Sequence, residues 1–212
     1  MSTDETRRSL LDAAVRLTAR EGPRGLTARA IGAEARVNQA LIFYHFGGVD
    51  GLLRTAYAEA TRAMVADYAG QLETASTFTE LYAVGQRLGE RSRQDGSAAL
   101  LTQVMAAAHH DDEMAAALAD SLGVWREVVT AAVRRVVGLS GLADALDPEP
   151  LAASLAASTI GMVAVDALPG RPLGRTMEGV APVPRAVDVL LARFPRALVR
   201  RLARTTVSGR RR

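Results

Sequence analysis

Cysteine and lysine are both absent from the 212 residues. Without cysteine there is no disulfide framework, no thiolate nucleophile and no zinc-thiolate site, and the chain suits a reducing compartment such as the cytoplasm. Histidine is scarce, at three residues. No two histidines stand one helical turn apart, and neither a nucleophile elbow nor a phosphate-binding glycine loop occurs, so the pattern speaks against an enzyme. No apolar run approaches the ~20 residues that span a bilayer, and the start of the chain carries Asp4 and Glu5 rather than a basic leader, so it reads as soluble, unprocessed and without a membrane partner. Stretches that alternate apolar and polar residues over strand length are missing too, which argues against a sheet.

What is present is helical. Hydrophobic residues make up 49% of the chain, ample for a packed core in one large domain or two small ones. The net charge of +3 is unevenly spread: Arg193, Arg196, Arg200, Arg201, Arg204, Arg210, Arg211 and Arg212 face no acid after Asp188, and the remainder is slightly acidic. Such an end can attract phosphate or a membrane surface, but the simpler reading of residues 206–212 is a solvated, disordered basic tail.

The expected fold class is all-α. Leu10, Leu11, Ala14, Val15 and Leu17 form one apolar stripe that stops at Glu21-Gly22-Pro23. Thr27 can cap a short second helix whose Ala30, Ile31 and Ala35 face inward. Asn38 can cap a third helix over 39–46, closed by Gly47-Gly48, with Ile42 and Phe46 on its core side. Longer helices are expected over 50–72, 78–94, 98–108, 112–137, 149–168 and 185–203. Asp147-Pro148 and Pro169-Gly170 bracket the penultimate one, 169–184 reads as a loop, and Pro195 should kink or divide the last helix. Ala152, Ala153, Ala156, Ala157 and Gly161 leave little bulk on the penultimate helix, so a partner helix can approach it closely.

A short helix, a tight turn and a second short helix present one helix end to the major groove, and residues 26–46 have that layout. Many helical hairpins share the spacing without touching DNA. The residues themselves are more specific. Gly25-Leu26-Thr27-Ala28-Arg29-Ala30-Ile31-Gly32, then Val37-Asn38-Gln39-Ala40-Leu41-Ile42-Phe43-Tyr44-His45-Phe46, then Asp50-Gly51-Leu52-Leu53 resemble the amino-terminal signature of TetR-family repressors over the first quarter of the chain.

The resemblance implies a helix-turn-helix DNA-binding domain at 1–48 and a helical effector-binding and dimerisation domain at 49–205. It further implies a homodimer formed through the last two long helices, operator DNA as partner, and a small-molecule effector of unknown identity. It also implies roles for single residues. Gln39 at the start of the recognition helix, and Asn38 if it is not occupied as a cap, suit an adenine edge. Arg29 suits a guanine or a phosphate, while Thr27, Tyr44 and His45 match positions near the phosphate backbone. Tyr44 suits packing equally well, and Thr27 also suits a purely capping role. Phe43, where the family often has tyrosine, would meet a thymine methyl or a sugar. Two positions depart from the pattern. Arg36 stands where a turn glycine is common, at a cost of order 1 kcal/mol if the turn is left-handed. Val49 replaces a phosphate-binding lysine, which should make the salt dependence slightly shallower.

Candidate pocket residues are Tyr82, Met105, His109, Met114, Trp125 and Met162, large or adaptable side chains with a few polar tips, although each also suits core packing. The run His109-His110-Asp111-Asp112-Glu113 could suggest a metal. Adjacent histidines diverge on a helix, however, and Asp111 or Asp112 makes a natural cap, so a structural turn is expected and neither metal nor cofactor is implied. The leading expectation is a repressor released from a pseudopalindromic operator by its effector. The alternative is a helical small-molecule-binding or protein-interaction module without sequence-specific DNA binding, with a helical metalloenzyme third.

Overall fold

A computed structural model of the chain describes residues 2–22, 26–166, 179–195, 197–199 and 201. The regular structure in these residues is helical: α1 Thr3–Glu21, α2 Ala28–Ala35, α3 Ala40–Phe46, α4 Val49–Thr74, α5 Phe78–Gln94, α6 Ser97–Ala108, α7 Asp112–Ser140, α8 Pro148–Asp166 and α9 Pro182–Ala192. The chain divides into two compact units, Met1–Val65 with Ser92–Gly123, and Ala66–Arg91 with Val124–Arg212. Pro23 to Gly25, the Pro169-Gly170 stop and the 206–212 tail lie outside the described residues.

In the first unit α1 starts well before its apolar stripe. A reciprocal capping box nucleates it: the Glu5 N–H donates to Ser2 Oγ at 3.2 Å and the Ser2 N–H to Glu5 Oε2 at 2.7 Å. The stripe itself is buried, with Leu10, Ala14 and Leu17 at 3% exposure or less, and α1 packs on α2 and α6. Leu10, Ile31, Ile42, Leu52, Leu100, Val104 and Met114 belong to one core, so α1 to α4 share apolar contacts with α6 and the start of α7. Inside it the hydroxyls of Thr18 and Tyr57 lie 2.7 Å apart, and Thr18 also donates to the Ala14 carbonyl. Asp111 caps α7 by accepting the Met114 N–H at 2.9 Å, which makes the His109 to Glu113 segment a helix-starting turn.

In the second unit Val84, Leu88, Trp125, Val129, Val133 and Val136 are buried. Asp147 accepts the Glu149 N–H at 3.0 Å, and α8 begins at Pro148, where a missing N–H costs nothing. The last helix departs from expectation. It opens at Pro182, inside the segment expected to be a loop, because prolines suit a first helical turn, and it ends at Ala192. Pro195 separates it from a further turn at 197–199, where the N–H groups of Leu198 and Val199 donate to the Pro195 carbonyl. One helix also corrects the expected lack of a long apolar run. By length and composition alone, Pro148–Val165 of α8 could cross a membrane, because its alanines count as apolar although each carries little surface. Only 17% of that window is buried within the chain.

Candidate functional site

The α2–turn–α3 hairpin is built from its ends. Thr27 caps α2 by accepting the Ala30 N–H at 3.2 Å, and Asn38 Oδ1 accepts the Ala40 N–H at 2.9 Å, so its carbonyl is occupied. Between them Arg36 takes φ 57° and ψ 38°, the left-handed conformation for which glycine would be cheapest, and closes α2 with its N–H on the Ala33 and Gly32 carbonyls. Gly32 allows α3 to approach: a Cβ there would lie 3.0 Å from the Val37 oxygen and 3.2 Å from Gln39 Cα. The resulting α3 has two unlike sides. Ile42 is fully buried, while Phe43 and Tyr44 are 59% and 78% exposed. Thr27, Arg29, Asn38 and Gln39 are exposed as well, and His45 is half-buried with its ring edge-on to Tyr44 at 4.9 Å.

Neighbouring helices hold this hairpin. Arg16 and Arg20 of α1 both bind Glu34, and Arg16 is the foremost reason that carboxyl sits below its ordinary range. Ser9 donates to the Ala35 carbonyl at the end of α2. Arg7 stands over the Phe46 ring at 5.5 Å and pairs with Glu59 of α4 at 2.8 Å. Arg54 of α4 reaches Glu113 at 3.0 Å and Asp111 at 3.8 Å. These arginines are committed. Arg29, by contrast, has no acidic partner among the described residues.

The second unit contains a cavity of about 440 Å³. Leu72, Phe78, Trp125, Val133, Leu151 and Val187 are among its lining, so α4, α5, α7, α8 and α9 all contribute. Asp188 fastens α9 beside it, accepting the Phe78 N–H at 3.1 Å and, on its other oxygen, the N–H and hydroxyl of Thr79 at 2.8 and 2.6 Å. This carboxylate acts as an N-terminal cap for α5 supplied from 109 residues away.

Residues 10–56 match the family described as bacterial regulatory proteins, tetR family. They form a tetR-family regulatory domain. Solved structures share the fold over most of the chain. One from Streptomyces coelicolor A3(2), assigned as a transcriptional regulator, is 24% identical with a TM-score of 0.66, covering 85% of this chain and 98% of that one. A TetR-family transcriptional regulator from Rhodococcus sp. is 20% identical, with TM-score 0.63 and the same coverages of 85% and 98%. A regulator from Saccharomonospora viridis, solved with choline, is 20% identical with TM-score 0.69, covering 86% and 95%. At these identities the likeness is one of fold. No curated protein sequence matches the chain.

Within the tetR-family domain the hairpin brings Thr27, Arg29, Asn38, Gln39, Phe43, Tyr44 and His45 together on α2, the turn and α3. The pocket candidates divide instead. Tyr82, Trp125 and Met162 line the cavity. Met114 lies in the core of the first unit, and Met105 and His109 are exposed on the α6 end of that unit. Among the described residues no three His, Asp or Glu side chains come together as metal ligands. Most of the cavity wall is ordinary leucine and valine, which carry no signal in a sequence. Arg36, exposed in the turn, is a further cation on the hairpin.

Proposed function

We propose that the protein is a homodimeric repressor that holds a pseudopalindromic operator and releases it when a small molecule enters the cavity. The observation that carries this reading is the two-sided α3: a buried Ile42 anchors the helix while Gln39, Phe43 and Tyr44 stay in solvent, as does Arg29 of α2, which has no acidic partner among the described residues. A seven-residue helix that keeps a phenylalanine and a tyrosine exposed gains nothing in stability from them, and a groove supplies their partner. In it Gln39 reads an adenine edge and Arg29 a guanine or phosphate, each worth ~1–3 kcal/mol. Thr27, Tyr44, His45 and the remaining amide of Asn38 meet backbone or sugar, and Phe43 an apolar base group.

The second copy is supported by α8 and α9. Ala152 and Ala156 are buried, whereas Ala153, Ala157 and Gly161 face solvent, and Val189 and Leu190 of α9 are about half exposed. Small and apolar exposed side chains on two helices suit close packing against the same helices of a partner, in an isologous two-fold. Two recognition helices would then meet successive grooves ~34–36 Å apart. Release follows if the effector prefers a dimer with a different separation; equal affinity for both states would shift nothing. The relay is α4, whose first turn touches α3 and whose last turn supplies Leu72 to the cavity. Acting on DNA, the protein works in the cytoplasm.

The test is a gel shift with the duplex flanking its own gene. Specific retention that Arg29→Ala and Gln39→Ala each weaken at least tenfold is expected. Binding no tighter than to random duplex, unchanged by both substitutions, would leave the non-DNA helical module as the better account.

A further inference from the structure

We infer that the effector is an uncharged, mostly apolar molecule that presents a hydrogen-bond acceptor to Trp125 Nε1. This rests on the reading of the cavity as the effector site. Its volume of about 440 Å³ falls among pockets that enclose drug-sized ligands, roughly 300–1,000 Å³. Among the described lining residues there is no Arg, Asp, Glu or His, and the polar ones are Tyr82, Gln86, Ser158 and Thr159. Three of these are engaged: Gln86 Nε2 donates to the Tyr82 hydroxyl at 3.1 Å, and the Thr159 hydroxyl donates to the Leu155 carbonyl at 2.8 Å. A carboxylate, phosphate or ammonium would enter this wall without a countercharge, which is heavily disfavoured in an apolar site.

Trp125 adds selectivity. It lines the cavity, is 5% exposed, and its Nε1 is a buried donor with no partner among the described residues. An indole N–H only donates, so a ligand carbonyl, ether or hydroxyl oxygen satisfies it and a hydrocarbon or an ammonium does not. Buried donors in folded proteins are nearly always paired, which makes this one a site waiting for an acceptor. The choline bound by the Saccharomonospora viridis protein is a cation and would find no counterion among the described lining residues.

The test is calorimetric titration of the full chain with three probes of one shape: 4-phenylcyclohexanone, phenylcyclohexane and 4-phenylcyclohexanecarboxylate. The ketone should bind at least tenfold more tightly than the carboxylate. Trp125→Phe should weaken the ketone about tenfold and leave the hydrocarbon unchanged or improved. Gly85→Leu is a second variant that does not disturb Trp125. Gly85 lines the cavity within α5, and a Cβ there meets no atom within 4 Å, so the added side chain should fill the space and weaken all binding at least tenfold while the fold is kept. A carboxylate that binds as tightly as the ketone would overturn the inference. So would an equal loss of ketone and hydrocarbon in Trp125→Phe, or an absence of binding by all three probes. Operator release is scored separately. A ketone that binds as expected without releasing DNA sinks the effector reading alone, whereas release by the carboxylate in competition with the ketone sinks this inference alone.

Discussion

Gly51, in the first turn of α4, lies so close to the carbonyl oxygen of Phe46 that a Cβ at position 51 would sit 2.1 Å from it. The obstructing atom is backbone at the end of α3, so any side chain at 51 must move one helix against the other. Gly51→Ala should therefore cost ~1–3 kcal/mol of stability and misplace α3, weakening the proposed operator binding about tenfold or more. Thermal melts and a gel shift check this; unchanged values in both would mean that the α3–α4 contact is compliant.

Arg36 holds a left-handed conformation at the end of α2, at φ 57°. Glycine pays no Cβ penalty there, so Arg36→Gly should raise stability by up to ~1 kcal/mol, a melting shift of about 2–4 °C for a chain this size. A lower melting point would show that the arginine side chain repays the strain through contacts of its own.

Alkaline pH should act through Tyr57. Burial pushes its hydroxyl up to about 12 from 10, against the opposing effect of the hydrogen bond with Thr18. Below pH 10 the phenol is neutral in both folded and unfolded chains, and its contribution is fully present. Between pH 10 and about 12 only the unfolded chain ionises, so stability falls as pH rises, on the order of 1 kcal/mol per pH unit. Tyr57→Phe should lose this component, flattening the denaturant midpoint over that window. Parallel curves for the two proteins would contradict the assignment.

Asp188 ties α9 to the start of α5 through three acceptor contacts beside the cavity. Asp188→Ala should remove a helix cap, costing ~0.5–2 kcal/mol, and should speed the release of a cavity-bound ketone because Val183, Pro184 and Val187 of α9 line that wall. Stopped-flow displacement followed by the emission of Trp125, the single tryptophan, measures it. An off-rate equal to the wild type would show that ligand leaves by another route.

Much of the local structure was legible in the sequence because its causes are local. The Thr27 and Asn38 caps, the Gly22 stop and the opposite fates of Ile42 and Phe43 follow from hydrogen-bond chemistry and periodicity within a few residues. The strain at Arg36 was legible too, as a non-glycine residue where the turn favours glycine. The start of the last helix was not. Pro182 reads equally as part of a loop or as the opening of a helix, and only the built chain separates the two.

The cavity belonged entirely to tertiary structure. Among the pocket candidates Trp125 stood out only as the single tryptophan, and Tyr82, Met105, His109, Met114 and Met162 could not be told apart, since side-chain type does not say which unit a helix face will meet. Packing put Tyr82, Trp125 and Met162 together with unremarked leucines and valines, and sent Met114 into another core. The Asp188 clamp joins residues 109 apart, and the unpaired Trp125 Nε1 is defined by what does not surround it. The sequence by itself determined the all-α class and a short third helix ending at Phe46, because caps and periodicity act over one or two turns. Which side chains close a cavity, and which donor is left without a partner, was decided only when distant helices met.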